Sequence, residues 1–277
     1  MPAFANYYNT TMKKQAIGVF DSGIGGLTIL RALHHTLPHE NFIYFGDTAN
    51  VPYGGKSKAA VTRLATAVAQ FLETQNVKLI VVACNTASAH ALPTLSKRLR
   101  VPVMGVILPG AQAAVQATHN RKIAVLGTQG TVQSQAYVKA IKKLNNKMRV
   151  VQQACPLFVP LAEEGFAKKP AAELIAREYL APVQKSGADT VILGCTHYPI
   201  LKKLIGRILG PKIHLVDSAQ TLAQAAKNFL QTHRLAAPTG CGTLKFYASD
   251  EPQKFSQSAQ KLLGEKIAKA TLKKLTP

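Results

Sequence analysis

Leu79-Ile-Val-Val-Ala-Cys84-Asn-Thr-Ala-Ser88 reads as a buried strand that ends on a thiol and turns straight into a helix start. The run up to Ala83 is apolar and β-branched, and Asn85, Thr86 and Ser88 bring the short polar side chains that cap a first helical turn. A second stretch, Val191-Ile-Leu-Gly-Cys195-Thr-His197, repeats the arrangement with its cysteine 111 positions later. Other features recur at nearly the same separation. Ile17 matches Ile123 (106 apart), Val51-Pro52 matches Val159-Pro160 (108), and Val103 matches Ile213 (110). Four features in the same order point to two homologous halves related by a pseudo-two-fold axis, each contributing one cysteine.

Outward from these two stretches, short apolar runs alternate with longer amphipathic ones, the pattern of parallel strands joined by helical crossovers. Strands are expected at Ile17 to Phe20, Phe42 to Phe45, Leu79 to Ala83, Val103 to Ile107, Ile123 to Leu126, Val150 to Ala154, Thr190 to Leu193 and His214 to Val216. Ala59 to Gln75 and Pro170 to Lys185 carry the helical period. The expected fold class is α/β, with two similar parallel-sheet domains facing each other. Functional residues in such sheets lie beyond the carboxyl ends of the strands, so the active site belongs between the halves.

The 277 residues, 47% hydrophobic, can bury a sizeable core and suffice for two small domains. Lys and Arg outnumber Asp and Glu by 34 to 13, and a net charge of +21 draws in anions, whether nucleic acid, a membrane surface or a small acidic metabolite. The excess gathers at Lys139, Lys142, Lys143, Lys147 and Arg149, and at Lys254, Lys261, Lys266, Lys269, Lys273 and Lys274. No nucleic-acid-binding motif accompanies them, so they read as solvated faces. Cys84, Cys155, Cys195 and Cys241 are too scattered for the disulfide framework of a small secreted domain, which fits a reducing cytoplasm. The segment MPAFANYYNTTMKK lacks the features of a signal peptide, and no apolar run is long enough to span a membrane. Residues 1 to 11 read as a polar extension ahead of Met12. A homodimer is compatible with the sequence, which does not fix an oligomeric state.

The chemistry-bearing residues follow from the repeat. A thiol at a strand end, beside the positive end of a helix, is placed to have its pKa drawn below about 8.5 and to work as a base. This reading applies to Cys84 and Cys195. Cys155 and Cys241 have no counterparts across the repeat and read as structural. Asp21 and Ser22 end the first strand in Val19-Phe-Asp-Ser-Gly-Ile-Gly-Gly26. A dinucleotide-binding G-x-G-x-x-G beginning at Gly23 would need glycine where this chain has Thr28. The glycines instead suggest a tight turn that lets backbone N–H groups approach a small anion. Glu163, after the second Val-Pro step, and His197, two residues beyond Cys195, complete a set of polar groups able to assist the thiols. No metal-spaced His/Cys cluster and no aldimine-forming lysine motif is found, so neither metal nor cofactor is expected.

Six strings, FDSGIGGL, GDTANVPYG, VVACNTASA, LGTQGTVQS, CPLFVPLAEEG and ILGCTHYP, resemble in order and spacing those of the aspartate/glutamate racemase family, and of its glutamate racemases in particular. The resemblance runs from about Ile17 to Ser218. It implies interconversion of L- and D-glutamate without pyridoxal phosphate or metal, supplying D-glutamate for peptidoglycan. It maps the acid and base to Cys84, acting on D-glutamate, and Cys195, acting on L-glutamate, with Asp21, Glu163 and His197 assisting. Substrate-binding positions carry over as Asp21, Ser22, Tyr53, Gly54, Asn85, Thr86, Thr196 and His197, with Thr128 and Thr131 in the loop after Leu126. Residues 1–99 and 212–277 would form one domain around 100–211, with the strands at Val103 and Ile213 exchanged between halves. The chain departs from the family pattern at Leu108, where many relatives carry glutamate. Subunit contacts or regulation that depend on that carboxylate are put in doubt, but not the proton transfer.

Three other readings compete. An aspartate or hydantoin racemase would share the two-cysteine arrangement. A nucleic-acid-binding protein is suggested by charge alone. A cysteine hydrolase would leave the second cysteine unexplained.

Overall fold

In the computed structural model, which describes residues 10–263 and 266–276, two parallel sheets repeat one strand order. The strands are β1 (Ile17–Asp21), β2 (Phe42–Gly46), β3 (Leu79–Val82), β4 (Val103–Gly105), β5 (Lys122–Gly127), β6 (Arg149–Ala154), β7 (Thr190–Gly194), β8 (His214–Asp217), β9 (Leu244–Ala248) and β10 (Thr271–Leu272). The first sheet runs β10-β9-β2-β1-β3-β4 and the second β6-β5-β7-β8. The order β2-β1-β3-β4 is therefore copied as β6-β5-β7-β8, and β9 and β10 extend the first sheet alone. All eight expected strands are present, with boundaries shifted by a few residues. The run expected to continue to Ile107 stops at Gly105 and becomes the helix Ile107–Ala117.

Register tests the repeat residue by residue. Ile17 stands beside Phe42 and Leu79 as Ile123 stands beside Val150 and Thr190. The fourth strand differs from expectation. Ile80 pairs with Val103 and Val191 with Leu215, so Val103 corresponds to Leu215 rather than Ile213. The exchange of these strands between halves is also not found. β4 pairs with β3 in the first sheet and β8 with β7 in the second. The chain crosses to the second sheet after Gly105 and returns after Asp217, because hydrogen-bonding each strand to its sequential neighbour needs no extra crossover.

The central strands are covered on both faces, as parallel sheets require. Every residue of β1, β2, β3 and β7 is buried, whereas the edge strand β6 leaves Arg149 and Val151 exposed. Ile17, Val19, Leu79 and Val81 pack with the helices Leu27–Thr36 and Ser218–Thr232, while Phe20, Ile80 and Val82 face Lys58–Thr74 and Asn85–Arg98. The two long helices anticipated from periodicity occur as Lys58–Thr74 and Pro170–Ser186. Ser57 caps the first by accepting from Ala60 N–H at 3.3 Å. The second has proline in its first turn and ends on Gly187 at φ 67°, the left-handed stop that glycine adopts most easily.

The basic residues Lys139, Lys142, Lys143, Lys147 and Arg149 and the six C-terminal lysines from Lys254 to Lys274 are all exposed. Among the described residues no helix is long and apolar enough to cross a membrane. Residues 1–9, most of the expected N-terminal extension, lie outside the described residues.

Candidate active site

The ends of β1, β3 and β7 converge on one small cavity. Its walls are Ser22, Pro52, Tyr53, Gly54, Cys84, Asn85 and Thr86 from the first half and Thr128, Val159, Cys195, Thr196 and His197 from the second. Both repeated cysteines line it, and both are nearly buried. Of the expected substrate and catalytic positions, Asp21, Thr131 and Glu163 stand one layer behind the wall and touch it through hydrogen bonds.

Cys84 follows β3 and caps the helix Asn85–Arg98, its Sγ accepting from Ala87 N–H at 3.5 Å and lying 4.0 Å from Ser22 Oγ. The lowered thiol pKa expected from that helix start is not found. Burial, and next the nearby Asp21 carboxylate, push the thiol well above its ordinary range, outweighing the amide that pulls it down. Asp21 is itself raised by burial, against the charge of His197 and the hydrogen bonds it accepts from Gly23 N–H (3.1 Å) and Thr196 Oγ1 (3.4 Å). Cys84 is therefore held as a neutral thiol.

Cys195 stands differently. Its Sγ lies 3.9 Å from His197 Nδ1, and His197 Nε2 is 2.9 Å from Glu163 Oε1. Burial pulls the imidazole down, but its bonds to Cys195 and Glu163 and the charges of Cys195 and Asp21 prevail and raise its pKa to about 10. The ring is thus held toward its protonated form between the Cys195 sulfur and the Glu163 side chain.

The glycine turn has a different use from the anion cradle expected of it. A Cβ on Gly25 would lie 2.5 Å from Thr196 Oγ1 and 2.6 Å from the His197 ring, so only glycine lets the first half's loop meet the turn after Cys195 in the second half. Gly23 N–H is spent on Asp21. Thr28, the residue that breaks the dinucleotide pattern, brings its hydroxyl within 2.9 Å of Gly25 O and 3.3 Å of Thr196 O.

Hydroxyls and amides line the rest. Thr86 Oγ1 lies 2.8 Å from Thr128 Oγ1 and 3.3 Å from Thr131 Oγ1, a three-hydroxyl cluster that joins the halves. Gly54 again has no room for a side chain, its Cβ position falling 2.7 Å from Thr128 Cβ. Tyr53 donates to Asp47 Oδ2 at 2.5 Å, and Asp47 also accepts from Asn50 Nδ2 (3.0 Å) and Ser249 Oγ (2.7 Å). Asp47 and Ser249 were missed in the sequence, although Asp47 lies inside one of the six strings. Nothing in the sequence links it to Ser249, 202 positions away. Among the described residues no three His, Cys, Asp or Glu side chains gather as metal ligands.

Residues 17–226 match the family model described as Asp/Glu/Hydantoin racemase. The chain is 49% identical over 257 residues to the glutamate racemase of Geobacter metallireducens, covering 92% of this chain and 95% of that protein. Among solved structures it is similar to a glutamate racemase isoform from Bacillus anthracis, with TM-score 0.92, 36% identity and coverage of 94% and 98% of the two chains. It is also similar to the Francisella tularensis glutamate racemase in complex with D-glutamate, with TM-score 0.89, 37% identity and the same coverage.

Proposed function

This chain belongs to the Asp/Glu/hydantoin racemase family, and from that premise we propose that it is a glutamate racemase working by two-base proton transfer between Cys84 and Cys195, without cofactor or metal. The observation that carries this reading is the pair of thiols, one from each half, on the wall of a single small cavity. Inverting a stereocentre requires a proton to leave one face of the α-carbon and another to arrive on the opposite face. Two bases on opposed halves meet that demand.

In the direction from D-glutamate, the Cys84 thiolate takes the α-proton, the C–H electron pair stays on carbon and spreads into the carboxylate, and the Cys195 thiol delivers its proton to the other face. Each turnover leaves the two sulfurs with exchanged protonation states, and the reverse direction starts from Cys195. For Cys84 to act as thiolate its proton passes to the neighbouring Asp21 carboxylate, whose own pKa is raised by burial, and the substrate ammonium beside both groups favours the charge left on sulfur. Cys195 has its own cation in His197, fixed by Glu163.

Charge developing on the substrate needs donors already in place in a dry site. The threonine cluster, Asn85, Ser22 and Gly54 provide them, while the Tyr53 hydroxyl is committed to Asp47. Glutamate held so closely must enter and leave by opening of the cleft, and the two halves hinge where the chain crosses between sheets. We place the enzyme in the cytoplasm, supplying D-glutamate for peptidoglycan. The test is polarimetric or chiral-chromatographic assay of dialysed, chelator-treated protein with each enantiomer. Racemisation of glutamate, with none of aspartate or a 5-substituted hydantoin, is expected. Racemisation of aspartate or hydantoin in place of glutamate overturns the substrate, and activity restored only by metal or pyridoxal phosphate overturns the mechanism.

A further inference from the structure

Tyr137 belongs to none of the six strings and none of the expected site positions. It is fully buried in the helix Ala136–Leu144 of the second half, and its hydroxyl reaches 2.8 Å from Asn85 Oδ1 in the first. Ser218 Oγ lies 3.4 Å from the same hydroxyl, at the point where the chain returns to the first half. A Cβ on Gly110, in the helix that opens the crossing into the second half, would lie 3.2 Å from the Tyr137 hydroxyl and 3.1 Å from Ser218 Oγ. The tyrosine hydroxyl thus joins an amide on the cavity wall to both passages between the halves.

An asparagine amide has one end that accepts and one that donates, and nothing in its shape chooses between them. Burial raises the Tyr137 hydroxyl's pKa, so it remains a proton donor at any working pH. Donating to Oδ1 leaves Nδ2, with two N–H groups, as the end available to the cavity. The substrate class proposed above carries two carboxylates and gains negative charge next to one of them as the proton leaves. A donor facing it is stabilising, and an acceptor facing it is repulsive.

We propose that Tyr137 is a positioning residue that holds the Asn85 amide with its N–H groups toward the substrate carboxylate, coupling that contact to the passages between the two halves. This rests on the racemase reading. Because the amide serves the intermediate common to both directions, Tyr137 acts equally on both, unlike a group paired with one thiol.

The test is a double-mutant cycle in which Tyr137→Phe, which keeps the ring and removes the hydroxyl, is combined with Asn85→Ala. Tyr137→Phe is expected to lower kcat/KM about ten-fold with D- and with L-glutamate, of the order reached when a buried polar group loses its partner. In the Asn85→Ala background the same change is expected to shift kcat/KM less than two-fold. Should that background be too slow to assay, dissociation constants for D-glutamate by calorimetry on the four proteins close the same cycle. An unchanged Tyr137→Phe enzyme, a loss confined to one direction, or an equal loss in both backgrounds overturns the positioning role. Wild-type racemisation of glutamate in the same assay separates the two claims. Its absence removes the function itself, whereas its presence with any of those three results removes only the role of Tyr137.

Discussion

Cys84 and Cys195 hold matching places in two copies of one strand order, yet their surroundings differ. Cys84 has a helix amide at 3.5 Å, the serine hydroxyl of Ser22 and a nearby buried carboxylate, Asp21. Cys195 has a histidine at 3.9 Å, itself held by Glu163. Duplication accounts for where the thiols stand and divergence for how each one is served. On the proposed mechanism, mirror-image substrates are treated by two halves that are not mirror images, so each half has its own means of moving a proton.

The comparison extends to the opposite ends of the strands. Lys78 directly precedes β3 and Asp189 directly precedes β7, 111 positions apart like the two cysteines. Lys78 is buried. Its Nζ donates to Lys13 O (2.6 Å) and Leu235 O (2.8 Å) and pairs with Glu40 at 2.5 Å. Asp189 collects the amides of His119 (2.8 Å) and Asn120 (2.7 Å) and the Thr118 hydroxyl (2.6 Å). One half gathers carbonyls with a cation and the other gathers amides with an anion. Both tie down the segment that leads into the central strand.

The largest break in the comparison is loss of either thiol. Cys84→Ala and Cys195→Ala are each expected to reduce racemisation by at least about a thousand-fold in both directions, since each removes an obligatory proton carrier. D-glutamate binding should survive in calorimetry.

Second in size are the strand-entry ties. Lys78→Ala strands the buried Glu40 carboxylate and is expected to cost about 3–5 kcal/mol in denaturant unfolding. Asp189→Asn, at a partly exposed site, is expected to cost about 1 kcal/mol. Although burial raises the Asp189 carboxyl, its hydrogen bonds prevail and lower it below the usual aspartate range. Its stabilisation is therefore present above the unfolded pKa of about 4 and is lost as pH falls through the lower folded value. The gap between wild type and Asp189→Asn should accordingly narrow below about pH 4. A gap that widens there would reverse the sign of this argument.

The division of labour between the halves sharpens the comparison most. Asp21→Asn should slow the direction that begins at Cys84, from D-glutamate, by about ten-fold more than the other, and His197→Asn should do the opposite. Initial rates from each pure enantiomer measure this. Equal slowing in both directions for both variants would show that the assisting groups are shared rather than divided between the halves.

How much of this was legible in the sequence follows the same line between local and collective properties. The two cysteines, the strands that present them and most of the cavity wall could be read because each strand-thiol-helix unit is written contiguously, and twice. β9 was missed because Leu244-Lys-Phe-Tyr-Ala248 follows a Pro/Gly-rich loop and has no counterpart in the second half. The pairing of β4 and β8 was not legible because a strand's apolar pattern does not say which neighbour it joins, and the exchange that the resemblance implied is not found. Tyr137 and Ser249 act across separations of 52 and 202 positions, which no local motif records. The direction of the Cys84 shift was misread for a related reason. A helix amide can be read from sequence, whereas the approach of Asp21 from the neighbouring strand β1 and the burial of both groups arise only from packing.

The two-thiol account is tested most directly by the origin of the proton in the product. Wild-type protein is mixed with pure D-glutamate in deuterated water, the reaction is stopped within the first few per cent of conversion, and both enantiomers are separated for mass analysis. If Cys84 and Cys195 act from opposite faces, L-glutamate carries one solvent deuterium at the α-carbon while recovered D-glutamate stays protiated. The same experiment from L-glutamate gives the mirror result. Protium retained in the early product, or deuterium entering both enantiomers at the same rate, would mean that one base serves both faces, contradicting the division of labour between the halves.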